Sequence, residues 1–253
     1  MNGYFLTDTG KVREHNEDSG AIFVNSNNQL LAIVADGMGG HKAGDVASQM
    51  VISSLGERWD EDKPFSTPGD AEQWLSDSIL ETNNKVYAYA QENEECSGMG
   101  TTVVAVICTS DFISIAHIGD SRCYLYNDQG YKQVTEDHSL VNELVKTGQI
   151  SKEDAEYHPR KNVLLRALGT EVGAKPDIQT IGWDVRNSIL ICSDGLTNKV
   201  LDNELEEYIK EDMELKDIAQ RLIDLANERG GEDNISVALV KFYDSPKEGE
   251  TEC

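Results

Sequence analysis

The chain has 253 residues and a mass of 28.0 kDa, with 46 acidic against 22 basic side chains and a formal net charge of -24. A chain of this length buries a substantial core, and no Pro- or Ser-rich linker divides it, so one domain is expected. The charge argues against nonspecific binding to nucleic acid or to anionic membranes, and no basic stripe suits a two-metal nuclease.

In chain order, strand patterns are predicted over 4–7, 20–24 and 30–35. The third is the apolar run Leu30-Leu31-Ala32-Ile33-Val34-Ala35, which stops on Asp36-Gly37. A helix over about 42–58 follows, with Ala43, Val46, Ala47, Met50 and Val51 at helical spacing, and Leu75, Ile79, Thr82, Val86 and Tyr89 mark another. The acid- and proline-rich stretch 60–70 reads as the loop between them. Strands over 101–108, 112–118 and 122–126 read as a meander with tight connections, and the middle one runs into Gly119-Asp120. The polar segment 139–160 is predicted helical. Strands near 177–181 and 188–192 come next, the second leading to Ser193-Asp194-Gly195. Leu215, Ile218, Leu222, Leu225 and Ala226 then mark an amphipathic helix, and Glu232-Asp233 leads into a last strand over 234–242. The apolar-poor stretch 244–253 reads as a disordered tail outside a single domain of 1–243.

Strands in blocks, broken by helical pairs, predict an α+β fold with antiparallel sheets and helices on the outer faces. Five cysteines show no CxxC spacing, and Cys108 and Cys192 sit inside apolar runs, which predicts free thiols in a reducing cytosol. The polar first ten residues predict neither signal peptide nor membrane span, so the expected location is cytoplasmic.

Asp36, Asp120, Asp194 and Asp233 thus sit at the ends of four strand patterns, which suggests one shared site. Like charges packed together repel unless cations neutralise them, and carboxylate oxygens suit Mg²⁺ or Mn²⁺ better than zinc. A single Asp-Gly after a strand is more often a plain turn. Here the pairs recur within ordered motifs: Val12-Arg13-Glu14-His15-Asn16-Glu17-Asp18-Ser19, Ala35-Asp36-Gly37-Met38-Gly39-Gly40-His41, Gly100-Thr101-Thr102, Ile118-Gly119-Asp120-Ser121-Arg122, Glu136-Asp137-His138-Ser139-Leu140-Val141, Cys192-Ser193-Asp194-Gly195-Leu196-Thr197 and Asp233-Asn234-Ile235-Ser236. In this order they closely resemble the type 2C metal-dependent Ser/Thr protein phosphatases in their compact bacterial form, over nearly the whole chain.

The resemblance implies a four-layer αββα sandwich, two antiparallel β-sheets flanked by helix pairs, with metals in a cleft at one end. It implies that Asp36 bridges two metals, that the Gly37 carbonyl ligates one of them, and that Asp194 and Asp233 hold the other. Asp120 with Asp194 is implied to hold a weaker third ion, and Glu17 and Asp18 to ligate directly or through waters. Arg13 matches the arginine that binds the substrate phosphate. His41 is a candidate substrate contact, although many members carry histidine where this chain has Met38. The implied activity is hydrolysis of phosphoserine and phosphothreonine by a metal-bridged water, because phosphate monoesters need both a strong nucleophile and neutralised phosphoryl charge. The implied partners are phosphoprotein substrates and a eukaryotic-like Ser/Thr kinase, and a monomer is expected. A catalytically inactive phosphate-binding or scaffold relative is the alternative. The polar segment 147–165 corresponds to a mobile flap, at whose end Arg160, Lys161 and Arg166 form a local basic cluster.

Overall fold

The strand run of residues 30–35 is apolar at consecutive positions rather than alternate ones because both of its faces are covered. Leu31, Ile33 and Ala35 belong to one core while Leu30, Ala32 and Val34 belong to another. In the computed structural model, which describes residues 1–39, 43–59 and 64–243, this strand is one of eleven among the described residues. In chain order they are β1 (Asn2–Asp8), β2 (Asp18–Val24), β3 (Leu30–Met38), α1 (Ala43–Arg58), α2 (Pro68–Glu92), β4 (Gly100–Thr101), β5 (Val103–Cys108), β6 (Phe112–Ile118), β7 (Arg122–Asn127) and β8 (Gly130–Gln133). There follow α3 (Leu140–Lys146), α4 (Lys152–Glu156), β9 (Asp177–Gly182), β10 (Ser188–Cys192), α5 (Asp194–Thr197), α6 (Asp202–Lys210), α7 (Leu215–Glu228) and β11 (Ile235–Lys241).

One sheet has the order β1-β11-β10-β7-β8 and the other β2-β3-β5-β6-β9, with β4 paired to β3, and every pairing is antiparallel. Three cores separate four layers. Val51, Leu55, Leu75 and Ile79 of α1 and α2 pack on Ile33, Ala105 and Ala116 of the second sheet. Val34, Val106 and Ile115 meet Ile189, Ile191 and Ala238 between the sheets. Leu205, Ile218 and Leu222 of α6 and α7 cover Leu190, Val237 and Leu239 of the first sheet. The architecture is therefore the expected αββα sandwich.

Two local expectations are corrected. The strand over 122–126 does not continue a meander, because β7 crosses to the other sheet and pairs with β10. The segment 139–160 is not one helix; α3 stops at Lys146, and Ser151 starts α4 with a capping box closed by Asp154. The short strand β8 and the polar helix α6 carry no expectation from the sequence. The four described cysteines are buried free thiols, as expected. The tail 244–253 and residues 60–63 of the expected loop 60–70 lie outside the described residues.

Candidate metal centre

The register of the sheets, more than any single motif, gathers the acidic side chains. Asp18, the first residue of β2, pairs directly with Asp36 in β3, an arrangement that places two like charges opposite each other on neighbouring strands. Ile118 at the end of β6 pairs with Val103 at the start of β5, which brings the Gly119-Asp120 turn to the same end of that sheet. In the other sheet Cys192 pairs with Val237, so Asp194 leaves β10 where Asp233 enters β11. Asn234 ties the two sheets together at this end. Its Oδ1 accepts the Glu17 N–H at 2.8 Å, and its Nδ2 donates to the Thr9 and His15 carbonyls, each at 2.9 Å. Ser193 makes a second tie, donating to Asp18 Oδ2 at 2.7 Å.

Asp36 and Gly37 are fixed through their backbone. Thr102 Oγ1 accepts the Asp36 N–H at 2.9 Å, and the Asp36 carbonyl takes the Thr102 N–H at 2.8 Å and the Thr101 hydroxyl at 2.9 Å. A Cβ on Gly37 would lie 2.1 Å from the Gly44 carbonyl oxygen and 2.5 Å from that of Glu17, so only glycine lets the chain pass here. Gly195 is equally constrained, with a Cβ falling 2.0 Å from the Asn234 carbonyl oxygen, and this contact seats Asp194 beside Asp233.

The electrostatics of the cluster are those of buried carboxylates that repel one another. Burial, then Asp18, Asp194, Asp120 and Asp233, pushes the Asp36 carboxyl well above the ordinary carboxylate range. Burial first, and Asp194 and Asp233 after it, lifts Asp18 to about 7 against the hydrogen bond from Ser193. Asp120 is pushed up to about 7 by burial and by Asp194 and Asp137. Asp194 is raised by burial and by Asp233, and its carboxyl lies within hydrogen-bonding reach of Asp36, an approach that calls for a proton or a cation between the two. Asp18 is only 6% exposed, and its Oδ1 has no hydrogen-bond partner among the described residues. An orphaned buried oxygen amid crowded hard-oxygen donors fits divalent cations of the Mg²⁺ or Mn²⁺ type. Glu17 borders the cluster, its carboxyl raised by burial and by Asp45.

Arg13 reaches in from the N-terminal loop, with Nη2 donating to Asp233 Oδ2 at 2.9 Å and its side chain 48% exposed. Burial opposes its charge, but Asp233, Glu17 and Asp36 together hold its pKa above the ordinary value. His41 lies outside the described residues. Sequence reasoning assigned no role to Asn198, whose Nδ2 donates to Asp194 Oδ2 at 3.0 Å and whose Oδ1 accepts from Lys161 Nζ at 3.4 Å. Nor did it assign one to Asn234. Both residues stand inside or just beyond the motifs; the Asn234 bonds to Thr9, His15 and Glu17 span the fold and leave no local spacing to read, whereas the Asn198–Asp194 bond has the four-residue spacing of a helical turn, a signal present in the sequence. Arg166 departs from the expected basic cluster, because its Nη1 is paired with Asp177 Oδ1 at 2.7 Å.

A second meeting of ligand types lies nearby: ligand atoms of His117, His138 and Asp177 fall within 4.8 Å of one another. It does not fit a metal. His138 Nδ1 accepts the Gly119 N–H at 3.1 Å, which leaves the proton on Nε2, and the Arg166 guanidinium fills the space in front of Asp177.

A family model described as Protein phosphatase 2C matches residues 10–240. The Serine/threonine phosphatase stp of Listeria monocytogenes is 48% identical over 241 residues, covering 95% of this chain and 96% of its own. The crystal structure of Serine/threonine phosphatase Stp1 from Staphylococcus aureus superposes with a TM-score of 0.89 at 40% identity, covering 96% of this chain and 95% of that one. The catalytic domain of the serine threonine protein phosphatase PstP, in complex with two manganese ions, superposes with a TM-score of 0.84 at 34% identity, over 96% of this chain and 98% of that one.

Proposed function

Because the chain belongs to the protein phosphatase 2C family and is a metal-dependent phosphoprotein phosphatase, we propose that its metals are held by Asp36, the Gly37 carbonyl, Asp194 and Asp233, with Glu17 and Asp18 beside them. The observation that carries this assignment is the convergence of Asp18, Asp36, Asp120, Asp194 and Asp233 at one end of the sandwich, the first four raised by burial and by their acidic neighbours. Two Mn²⁺ or Mg²⁺ ions bind tightly there, and Asp120 with Asp194 holds a third more weakly. Bound divalent cations acidify water to supply a nucleophile and offset phosphoryl charge. The chain's own residues do the rest. Thr101, Thr102 and Ser193 hold the ligating strands in place, and Asn234 fixes the loop that carries Arg13. The Arg13 fork binds the phosphoryl oxygens and orients them for in-line attack. The substrates are phosphoserine and phosphothreonine proteins, the opposing enzyme is a Ser/Thr kinase, and the protein acts as a cytoplasmic monomer built on one catalytic domain, 1–243.

Exhaustive chelation is expected to reduce hydrolysis of both p-nitrophenyl phosphate and a phosphothreonine peptide to background, with Mn²⁺ restoring each. Undiminished turnover after chelation contradicts the metal assignment, and binding of phosphopeptide without release of phosphate would mark an inactive scaffold.

The segment 147–165 acts as a flap over this cleft. Its short helix α4 contributes no buried residue, and Lys161 touches Asn198, the neighbour of Asp194. Arg160 makes no ion pair among the described residues. With a net charge of -24, the protein needs local cations to attract an anionic phosphoprotein. Replacing Arg160 and Lys161 together with Ala is expected to lower kcat/KM for a phosphoprotein by about tenfold while leaving p-nitrophenyl phosphate hydrolysis nearly unchanged. Equal losses on the two substrates would place the segment in the catalytic core.

A further inference from the structure

We infer that His138 is a positioning residue for Asp120: by binding both backbone polar groups of Gly119 it fixes the turn that presents Asp120 to the metal cleft, and the same strap anchors the base of the 147–165 segment. The inference rests on Asp120 being a metal ligand.

His138 is 9% exposed and follows Asp137 at the start of the strap that leads into α3. Its backbone N–H donates to the Gly119 carbonyl at 2.9 Å, and its Nδ1 accepts the Gly119 N–H at 3.1 Å. One residue thus closes a ring of two hydrogen bonds on the glycine directly before Asp120. The imidazole is itself locked. Its Nε2 lies 3.2 Å from Asp177 Oδ2, whose Oδ1 is taken by Arg166, and the His117 ring stacks on it at 4.7 Å with planes 13° apart.

Only one neutral tautomer satisfies the buried Gly119 amide. With the proton on Nε2, the Gly119 N–H finds an acceptor and Asp177 Oδ2 a donor, while Arg166 Nη1, 2.8 Å from Nε2, meets a second donor there and has its acceptor in Asp177 Oδ1. With the proton on Nδ1, two N–H groups would face each other at Gly119 and the buried amide would lack a partner. Burial, and His117 after it, also holds His138 towards the neutral form. On its other side the strap pairs with the end of the flap segment: the His138 carbonyl accepts the Leu165 N–H at 2.8 Å, the Leu140 N–H donates to the Val163 carbonyl at 2.8 Å, and Ser139 bridges Leu164. His138 therefore holds Gly119 with its N–H and ring, while its carbonyl, with Ser139 and Leu140, holds the flap base.

The two amide substitutions separate the roles of the ring nitrogens. In His138→Asn the Oδ1 can stand where Nδ1 stands and keep the Gly119 contact, whereas in His138→Gln the side-chain amide can reach Asp177 and leaves Gly119 without its acceptor. Titration calorimetry of the weaker Mn²⁺ site, alongside the Mn²⁺ dependence of peptide hydrolysis, should show His138→Asn within about twofold of wild type. His138→Gln should shift the weak-site midpoint upward by about tenfold, towards the value for Asp120→Ala, and add nothing in the Asp120→Ala background. Equal shifts for Asn and Gln, or none for Gln, would overturn the inference. If Asp120→Ala itself left the weak site unchanged, the ligand assignment of Asp120 would fall and this role with it. Nitrogen-15 NMR of wild-type protein provides a readout independent of how the variants fold: His138 is expected to be neutral with its proton on Nε2, and a proton on Nδ1 would overturn the inference.

Discussion

Asp36→Asn, Asp194→Asn and Asp233→Asn are each expected to cut hydrolysis of a phosphothreonine peptide by at least about a hundredfold at saturating Mn²⁺. Loss of a residue that merely orients a ligand costs 10–100-fold in metal affinity or activity, so loss of the ligand itself should reach or exceed the upper end of that range. The same substitutions at 36 and 194 should raise the melting temperature of the metal-free protein at pH 8. The reason lies in the sign of the pKa shifts. A carboxyl whose folded pKa is raised contributes stability that is present below its unfolded pKa, near 4, and is lost as pH rises through the folded value, which is about 7 for Asp18 and Asp120. A shift of that size on the buried Asp18 corresponds to roughly 4 kcal/mol, and Asp36 is displaced in the same direction by burial and by its acidic neighbours. Metal-free wild type should therefore melt lower at pH 8 than at pH 6. Asp36→Asn should flatten that dependence, with roughly 2–4 °C gained for each kcal/mol relieved. Thermal melts in chelator at the two pH values, with and without Mn²⁺, provide the check. A variant that lost activity and also melted lower without metal would have suffered structural damage rather than loss of a ligand.

Arg13→Ala should lower kcat/KM by about 10–100-fold, chiefly through KM, because a charge-assisted hydrogen bond contributes about 1.5–3 kcal/mol. Its guanidinium is half-exposed and bound through one nitrogen to Asp233, which leaves the rest of the fork open to phosphoryl oxygens. Arg13→Lys should recover only part of the loss, since a point charge cannot reproduce the two-pronged contact. Mn²⁺ affinities measured by calorimetry should stay close to wild type in both variants. An unchanged KM together with weakened Mn²⁺ binding would make Arg13 a structural partner of Asp233 instead.

Much of this was legible in the sequence because the relevant signals are local. The doubly buried run ending at Asp36 announces a strand covered on both faces, and the amphipathic spacing of Leu215, Ile218 and Leu222 announces a helix on a sheet. Strand ends at Asp36, Asp120, Asp194 and Asp233 pointed to one place, and the structure brings these residues together. What the sequence left unread depends on pairing at long range. The register that sets Asp18 opposite Asp36, the passage of β7 into the other sheet, and the three backbone contacts of Asn234 are decided between segments far apart in the chain. Helix α6 escaped notice for a different reason: Leu205 and Ile209 are its only buried residues, too few to stand out against Asp202, Glu204, Glu206 and Glu207. Arg166 read as part of a basic cluster because Asp177, the acid that neutralises it, lies on the edge strand β9 and approaches only in the folded chain.

Anomalous scattering at the manganese edge from crystals grown with Mn²⁺ tests the central assignment most directly. Strong peaks are expected against the carboxylates of Asp36, Asp194 and Asp233 and the carbonyl of Gly37, with a weaker one near Asp120. Manganese bound instead among His117, His138 and Asp177, with none at the aspartate cluster, would contradict it.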